Sequence, residues 1–311
     1  MASKKESLAA NDVAPQPPRR NCGVMSVHYW LLEQFPNYRN QQLAIEHSFS
    51  LSRRAARIAP TKPYVITVVV HVLFNTQAQK ISKTQVQSQI KALNRDYRRS
   101  NADWKTTPGV WLGLATDPMI EFRLAQKDPA GSATDGVLYR PTALTDFGQN
   151  DSMKDATRGG SDPWPTDKYL NIWVCVLKDS LLGYAQFPGG PKSTDGVVIS
   201  TTAFGTKGTA TAPFNMGRTC THEVGHYLNL RHIWGDTEDC SGNDFIADTP
   251  NAEAPNYHAP AFPHISCNNG PSGDMFMNYM DYVDDAAMVM FTTEQVARMH
   301  STLEGPRRSL W

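Results

Sequence analysis

The chain has 311 residues, a formal net charge of zero and 40% hydrophobic residues. That length can bury one large domain plus a shorter segment. A neutral chain gives no overall electrostatic footprint for nucleic acid or a membrane surface, and without a run of about 18 apolar residues no membrane-crossing helix is expected.

Charge is uneven along the chain. Residues 221–290 hold eleven Asp/Glu and one basic residue, Arg231, whereas residues 1–57 hold eight Lys/Arg against four Asp/Glu. This describes either two unrelated solvated surfaces or an acidic, cation-attracting cleft covered by a basic segment.

In chain order, Met1-Ala2-Ser3-Lys4-Lys5-Glu6 has no apolar signal core. Pro15, Pro17 and Pro18 mark residues 1–20 as an expected disordered tail. Residues 21–57 read as a separate element. They open with Asn21-Cys22-Gly23-Val24-Met25, carry Leu31, Leu32, Phe35 and Tyr38, and end in a polar, basic linker at 52–57 that suits proteolytic processing. Residues 58–311 form the main domain. Its first β-branched run, 64–74, predicts a central strand. Ser82 and Gln85 predict a cap for a helix with Val86, Ile90, Leu93 and Tyr97 on one stripe. Strands are expected at 119–125 and 169–177, with shorter ones at 181–185 and 196–200. A helix starts near Arg218, and 235–274 reads as loop. Thr292 and Gln295 cap a last helix bearing Val296, Met299 and Leu303. No internal repeat is visible. Strands alternating with helices, then irregular chain, predict an α/β upper lobe over a smaller lower lobe.

The densest chemistry is His222-Glu223-Val224-Gly225-His226-Tyr227-Leu228-Asn229-Leu230-Arg231-His232. Residues i and i+4 share a helix face, so His222 and His226 can hold one ion together. His232 lies far enough on for the chain to turn and return. Three imidazoles leave a fourth zinc position open, the mark of a catalytic site. Glu223 is then placed as the general base for a zinc-bound water. The bland alternative for the first five residues is a surface helix with two solvated histidines. His232 and the later Asn278-Tyr279-Met280-Asp281-Tyr282 argue against it.

Together these segments resemble the metzincin metalloproteases, whose pattern is a long histidine motif followed by a methionine turn. Metzincins usually carry Gly where this chain has Asn229. Asn is the next-best residue for the left-handed conformation required there, and it favours the pappalysin-like branch. The resemblance spans roughly residues 21–305. It implies a two-lobed catalytic domain with a twisted mixed sheet and the zinc helix above, and an irregular lower lobe with a C-terminal helix. It assigns Met280 to the apolar floor under the imidazoles. Tyr282 becomes a stabiliser of the oxyanion, and Leu182, Gly183, Tyr184 and Ala185 an edge strand that pairs with extended peptide. It further implies a cysteine switch, with Cys22 as fourth zinc ligand in a latent form and residues 21–57 as an intramolecular inhibitor. It implies secretion, with the signal peptide absent from this sequence. The expected function is a secreted zinc endopeptidase acting on protein or peptide substrates, monomeric, without nucleic-acid or membrane partners. The rivals are an inactive zinc-binding adhesion or inhibitor protein and a zinc amidohydrolase of small amides.

Five cysteines imply two pairs and one special thiol. Cys240 and Cys267 bracket the polar loop and form the best pair. Cys175 and Cys220 are either a second bridge or two buried thiols, and Cys22 is left over. Asp244, Asp248 and Thr249 lie in that loop, where carboxylates and carbonyls suit calcium. The acidity of the motif half suggests a preference for Arg or Lys after the scissile bond, with Asp284 and Asp285 as candidate pocket residues.

Overall fold

A computed structural model describes residues 18–54 and 60–311. Residues 1–17 of the expected tail at 1–20, and 55–57 of the expected linker at 52–57, lie outside the described residues, as do 58 and 59. Arg20, expected in the disordered tail, is instead buried and bonded to Asp285. The main domain is built on β1 (Tyr64–Phe74), whose eleven residues alternate apolar side chains between two covered faces. β2 (Ile120–Leu124) runs parallel to its first half and β3 (Val137–Pro141) to its second, while β4 (Leu170–Cys175) takes the opposite edge. β6 (Val197–Ser200) follows β4 in parallel, and the short antiparallel β5 (Gly183–Ala185) closes the order β2-β1-β4-β6-β5.

Period-two alternation divides the core. Ile66, Val68, Val70 and Val72 of β1, with Ile172 and Val174 of β4, face α3 (Lys83–Asp96) and the buried α5 (Arg218–Tyr227). Ser82 caps α3 by accepting from Gln85 N at 3.1 Å. A four-residue turn, α4 (Gly109–Leu112), lies between α3 and β2. The opposite face carries Leu73, Trp173, Cys175, Tyr184 and Val198. It is covered partly by Val27 and Leu31 of α1 (Val24–Gln34), so the N-terminal segment completes a core that the main domain leaves open.

That segment is more regular than its composition suggests. α1 is followed directly by α2 (Pro36–Arg54), so residues 52–54, expected as linker, are the end of a 19-residue helix. The lower lobe is irregular apart from the two-stranded β7 (Tyr257–His258) and β8 (Tyr282–Val283), and α6 (Thr293–Glu304). Thr292 and Gln295 form a reciprocal capping box at the start of α6. Cys240 and Cys267 are bridged, tying the long loop to itself. Cys175 and Cys220 are free and buried, which corrects the alternative of a second bridge. Cys175 belongs to the α1-covered face and Cys220 to the α5 side, so the sheet lies between them.

Candidate active site

The zinc helix begins at Gly217, whose φ of 82° and close approach to Ala92 (2.8 Å from a built Cβ) suit no larger residue. One turn into α5, His222 and His226 point to the same side. The helix then stops at Asn229, which has a φ of 74°. Asn229 N donates to His226 O at 2.8 Å and Leu230 N to Gly225 O at 2.9 Å. This turn brings His232 back beside the other two. His226 Nε2 lies 3.0 Å from His222 Nε2 and 3.1 Å from His232 Nε2.

Each imidazole is oriented through its other nitrogen. His222 Nδ1 donates to Tyr279 O at 2.7 Å, His226 Nδ1 to Leu230 O at 2.8 Å, and His232 Nδ1 to Asp236 Oδ1 at 2.5 Å. With Nδ1 protonated, all three Nε2 lone pairs converge on one point and repel unless a cation sits among them. Burial also holds His222 and His226 neutral, pushing both well below the usual histidine range. A tetrahedral ion with Zn–N of about 2.0–2.1 Å separates its nitrogen ligands by roughly 3.3 Å, so the donor set fits zinc.

Met280 is fully buried against α5, where a Cβ on Gly225 would sit 2.5 Å from its sulfur. Tyr282 packs its ring 4.9 Å from that of His232, and its hydroxyl donates to Cys22 O at 3.3 Å. One contributor lies outside the quoted segments: Trp234 stacks on His232 at 4.3 Å. Within the methionine segment, the Asp281 carboxylate fixes the turn by accepting from Tyr282 N and Asn256 N. Asp236 carries no motif signature either. The signal available was its position four residues after His232, where an Nδ1 acceptor is needed.

Cys22 completes the set: its sulfur and the three histidines offer ligand atoms all within 4.8 Å of one another. The thiol also reaches Glu223 Oε2 at 3.3 Å. Burial, chiefly, raises the Glu223 carboxyl to about 8. Residues 21–23 lie against β5, with Leu182 N donating to Asn21 O at 3.0 Å and Gly23 N to Gly183 O at 2.9 Å. The pairing is parallel. Gly183 is demanded by space, since a Cβ would meet Glu223 Cγ at 3.0 Å and Val198 O at 2.8 Å. Tyr184 turns its side chain away, into the α1-covered core, while its hydroxyl donates to Asp151 at 2.9 Å. Leu182 and Ala185 pack into the main core.

The two adjacent aspartates separate. Asp285 is fully buried and binds Arg20 Nη2 at 2.6 Å, with Arg20 Nε also donating to Val283 O at 3.2 Å. Asp284 is partly exposed and lies 3.8 Å from His258. In the loop, Asp244 accepts from Thr249 Oγ1 at 2.7 Å. Asp248 is not with them: it binds Thr292 Oγ1 at 2.6 Å and Glu294 N at 2.9 Å, at the start of α6.

A helix with three convergent imidazoles, a methionine floor and a glutamate above defines a metzincin-type metalloendopeptidase. The Peptidase_M43 family model, described as pregnancy-associated plasma protein-A, matches residues 154–304. The chain is 31% identical over 257 residues to an extracellular metalloprotease of Trichophyton verrucosum, covering 80% of this chain and 81% of the relative. Among solved structures it resembles Tannerella forsythia mature mirolysin in complex with a cleaved peptide. There the identity is 50% and the TM-score 0.79, over 81% of this chain and 96% of that one. It also resembles a promirolysin mutant of Tannerella forsythia, at 45% identity and a TM-score of 0.86 over 94% and 97% of the two chains. The chain belongs to this family, the pappalysins, and is a metalloprotease.

Proposed function

We propose that this is a secreted zinc endopeptidase, held in its latent form, which cleaves extended protein or peptide substrates before Arg or Lys. Zinc, when bound by His222, His226 and His232, would acidify a water and polarise the scissile carbonyl. Glu223 would take the proton from that water and pass it to the leaving amine. The Tyr282 hydroxyl, which now donates to the Cys22 carbonyl, would turn to the substrate oxygen as negative charge develops. Cys22 would occupy the fourth ligand position as thiolate and keep water out.

One observation supports the reading above all: Cys22 stands at the three histidines while Arg20, two residues earlier, fills the buried Asp285 pocket. A substrate with Arg or Lys after its scissile bond would place that side chain in the same pocket. Arg20 precedes Cys22, whereas the substrate's basic residue follows the cleaved bond. Substrate would therefore run antiparallel to β5 and opposite to residues 21–23, whose bonds are presented the wrong way round for cutting. Calcium belongs to the Asp244–Thr249 pair in this reading, the two that the loop brings together at 2.7 Å. Asp248 is left to cap α6.

The test uses the full chain, a Cys22→Ala variant and a Glu223→Ala variant against peptides with Arg, Lys or Leu after the cleaved bond. Cys22→Ala should cleave from time zero while the parent lags. Glu223→Ala should bind one zinc yet lose about 10²–10⁴ in rate. Equal time courses for parent and Cys22→Ala would remove the latency claim. Equal cleavage before Leu and Arg would remove the pocket claim.

A further inference from the structure

Away from the thiol, the N-terminal segment makes a second, electrostatic contact. Arg298 of α6 is fully buried. Its Nε donates to Asn229 O at 2.5 Å, and both terminal nitrogens hold the Glu46 carboxylate of α2, with Nη1 to Oε2 at 2.9 Å. Phe49, one turn further along α2, places its ring 4.9 Å from that guanidinium. Arg231 lies nearby with its guanidinium 5.0 Å from the Phe245 ring and 5.8 Å from Phe187. Glu46 and Phe49 line one cavity with Phe245, so the Arg298 pair and the Arg231 guanidinium border the same space.

On the zymogen reading, which this inference rests on, that carboxylate leaves at activation. Arg298 then keeps Asn229 O but loses the acceptor of its two terminal nitrogens among the described residues. A guanidinium in that state demands an anion, and its planar fork favours a carboxylate. We propose that Arg298 and Arg231 form a subsite for an acidic side chain of the substrate, and that Glu46 fills it until activation. The path is set by β5. Phe187 lies two residues beyond Ala185, and its ring is 5.6 Å from His226. Gln42 of α2 donates to Pro188 O at 2.5 Å, so α2 covers this stretch today. A substrate antiparallel to β5 passes Phe187 and Arg231 on the side before its scissile bond. The subsite therefore reads Glu or Asp upstream of the cut.

The test takes the mature enzyme, processed from the full chain, and peptides sharing one cleaved bond. Glu or Gln is placed at successive positions before that bond. At one or two positions Glu should lower KM about tenfold relative to Gln with kcat little changed. Arg231→Met and Arg298→Met should each erase the difference, and Arg298→Lys should keep part of it. The Glu-to-Gln ratio is taken within each enzyme, so a loss of folding or turnover common to both peptides cancels. Should Arg298→Met fail to fold, Arg231→Met still decides. Equal KM values at every position in the parent, or a preference surviving both Met variants, overturns the subsite. If no peptide is cleaved at all, the protease reading itself falls, an outcome distinct from cleavage without preference.

Discussion

At the scale of single residues, the site depends on groups that never touch substrate. The three histidine Nδ1 atoms are all spoken for, two by backbone carbonyls and one by Asp236. Only the last can be altered by substitution. Asp236→Asn keeps shape but removes the charge that strengthens His232 as a donor, so zinc affinity should fall about 10–100-fold. Competition with a chromophoric chelator measures this directly; unchanged affinity would mean the carboxylate is incidental. The convergence of His222 and His226 was legible because i, i+4 spacing dictates it. Asn229 was legible as well, since few residues other than Gly tolerate its φ of 74°. Asp236, Trp234 and Arg298 were not. Their partners are reached through turns at Asn229, Gly235 and Asp236, where φ is positive, and no periodicity announces where such a turn delivers a side chain.

At the scale of elements, the legible segments are those with a regular apolar period. β1 and α3 match the sequence reading because their apolar residues recur at two and at three to four. α6 is announced by a capping box that the structure forms in full. β3 has no such signal: two of its five residues are exposed, and its place depends on the free half of the β1 edge. β7 and β8 are two residues each and exist only as a pair. The end of α2 reads as linker because Ser52-Arg53-Arg54 has no apolar period in the sequence, although earlier turns of the helix bury Tyr38, Gln42 and Phe49. The Cys175–Cys220 alternative turned on which sheet face α5 covers, which parity alone does not say. The loop closed by Cys240 and Cys267 spans 27 residues and holds little core. Its crosslink should contribute about 3–4 kcal/mol in the chain-entropy model. A Cys240→Ser, Cys267→Ser double variant should therefore unfold at clearly lower denaturant. An unchanged midpoint would show that the lobe is ordered without it.

At the scale of the whole molecule, the N-terminal segment and the catalytic domain share one core, so whatever weakens their contact acts on both. His28 is the exposed point of that contact chemically, though it is buried physically. It sits between the Tyr38 hydroxyl at 2.9 Å and the Phe187 ring at 5.3 Å, with Arg231, Arg39 and Asp236 around it. Burial, the largest cause, lowers it to about 4 from 6.5. The docked segment thus binds fewer protons than the released one between these values. Docking is at full strength above pH 6.5 and weakens as pH falls toward 4, by up to about tenfold per unit. Hydrogen-exchange protection of α1 should fall across that window in the parent and stay flatter in His28→Gln. Every other group is common to both proteins, so the difference isolates His28; parallel curves would discard it. The parallel run of residues 21–23 along β5 also has a kinetic consequence. On the proposed latent form, a molecule whose groove holds its own chain in reverse would have no productive way to cut that chain, and the first scission would come from a neighbour already open. Each opened molecule would then open others. The population should respond as a chain reaction does, with a delay that shortens as concentration rises and a dilute threshold below which it stays silent.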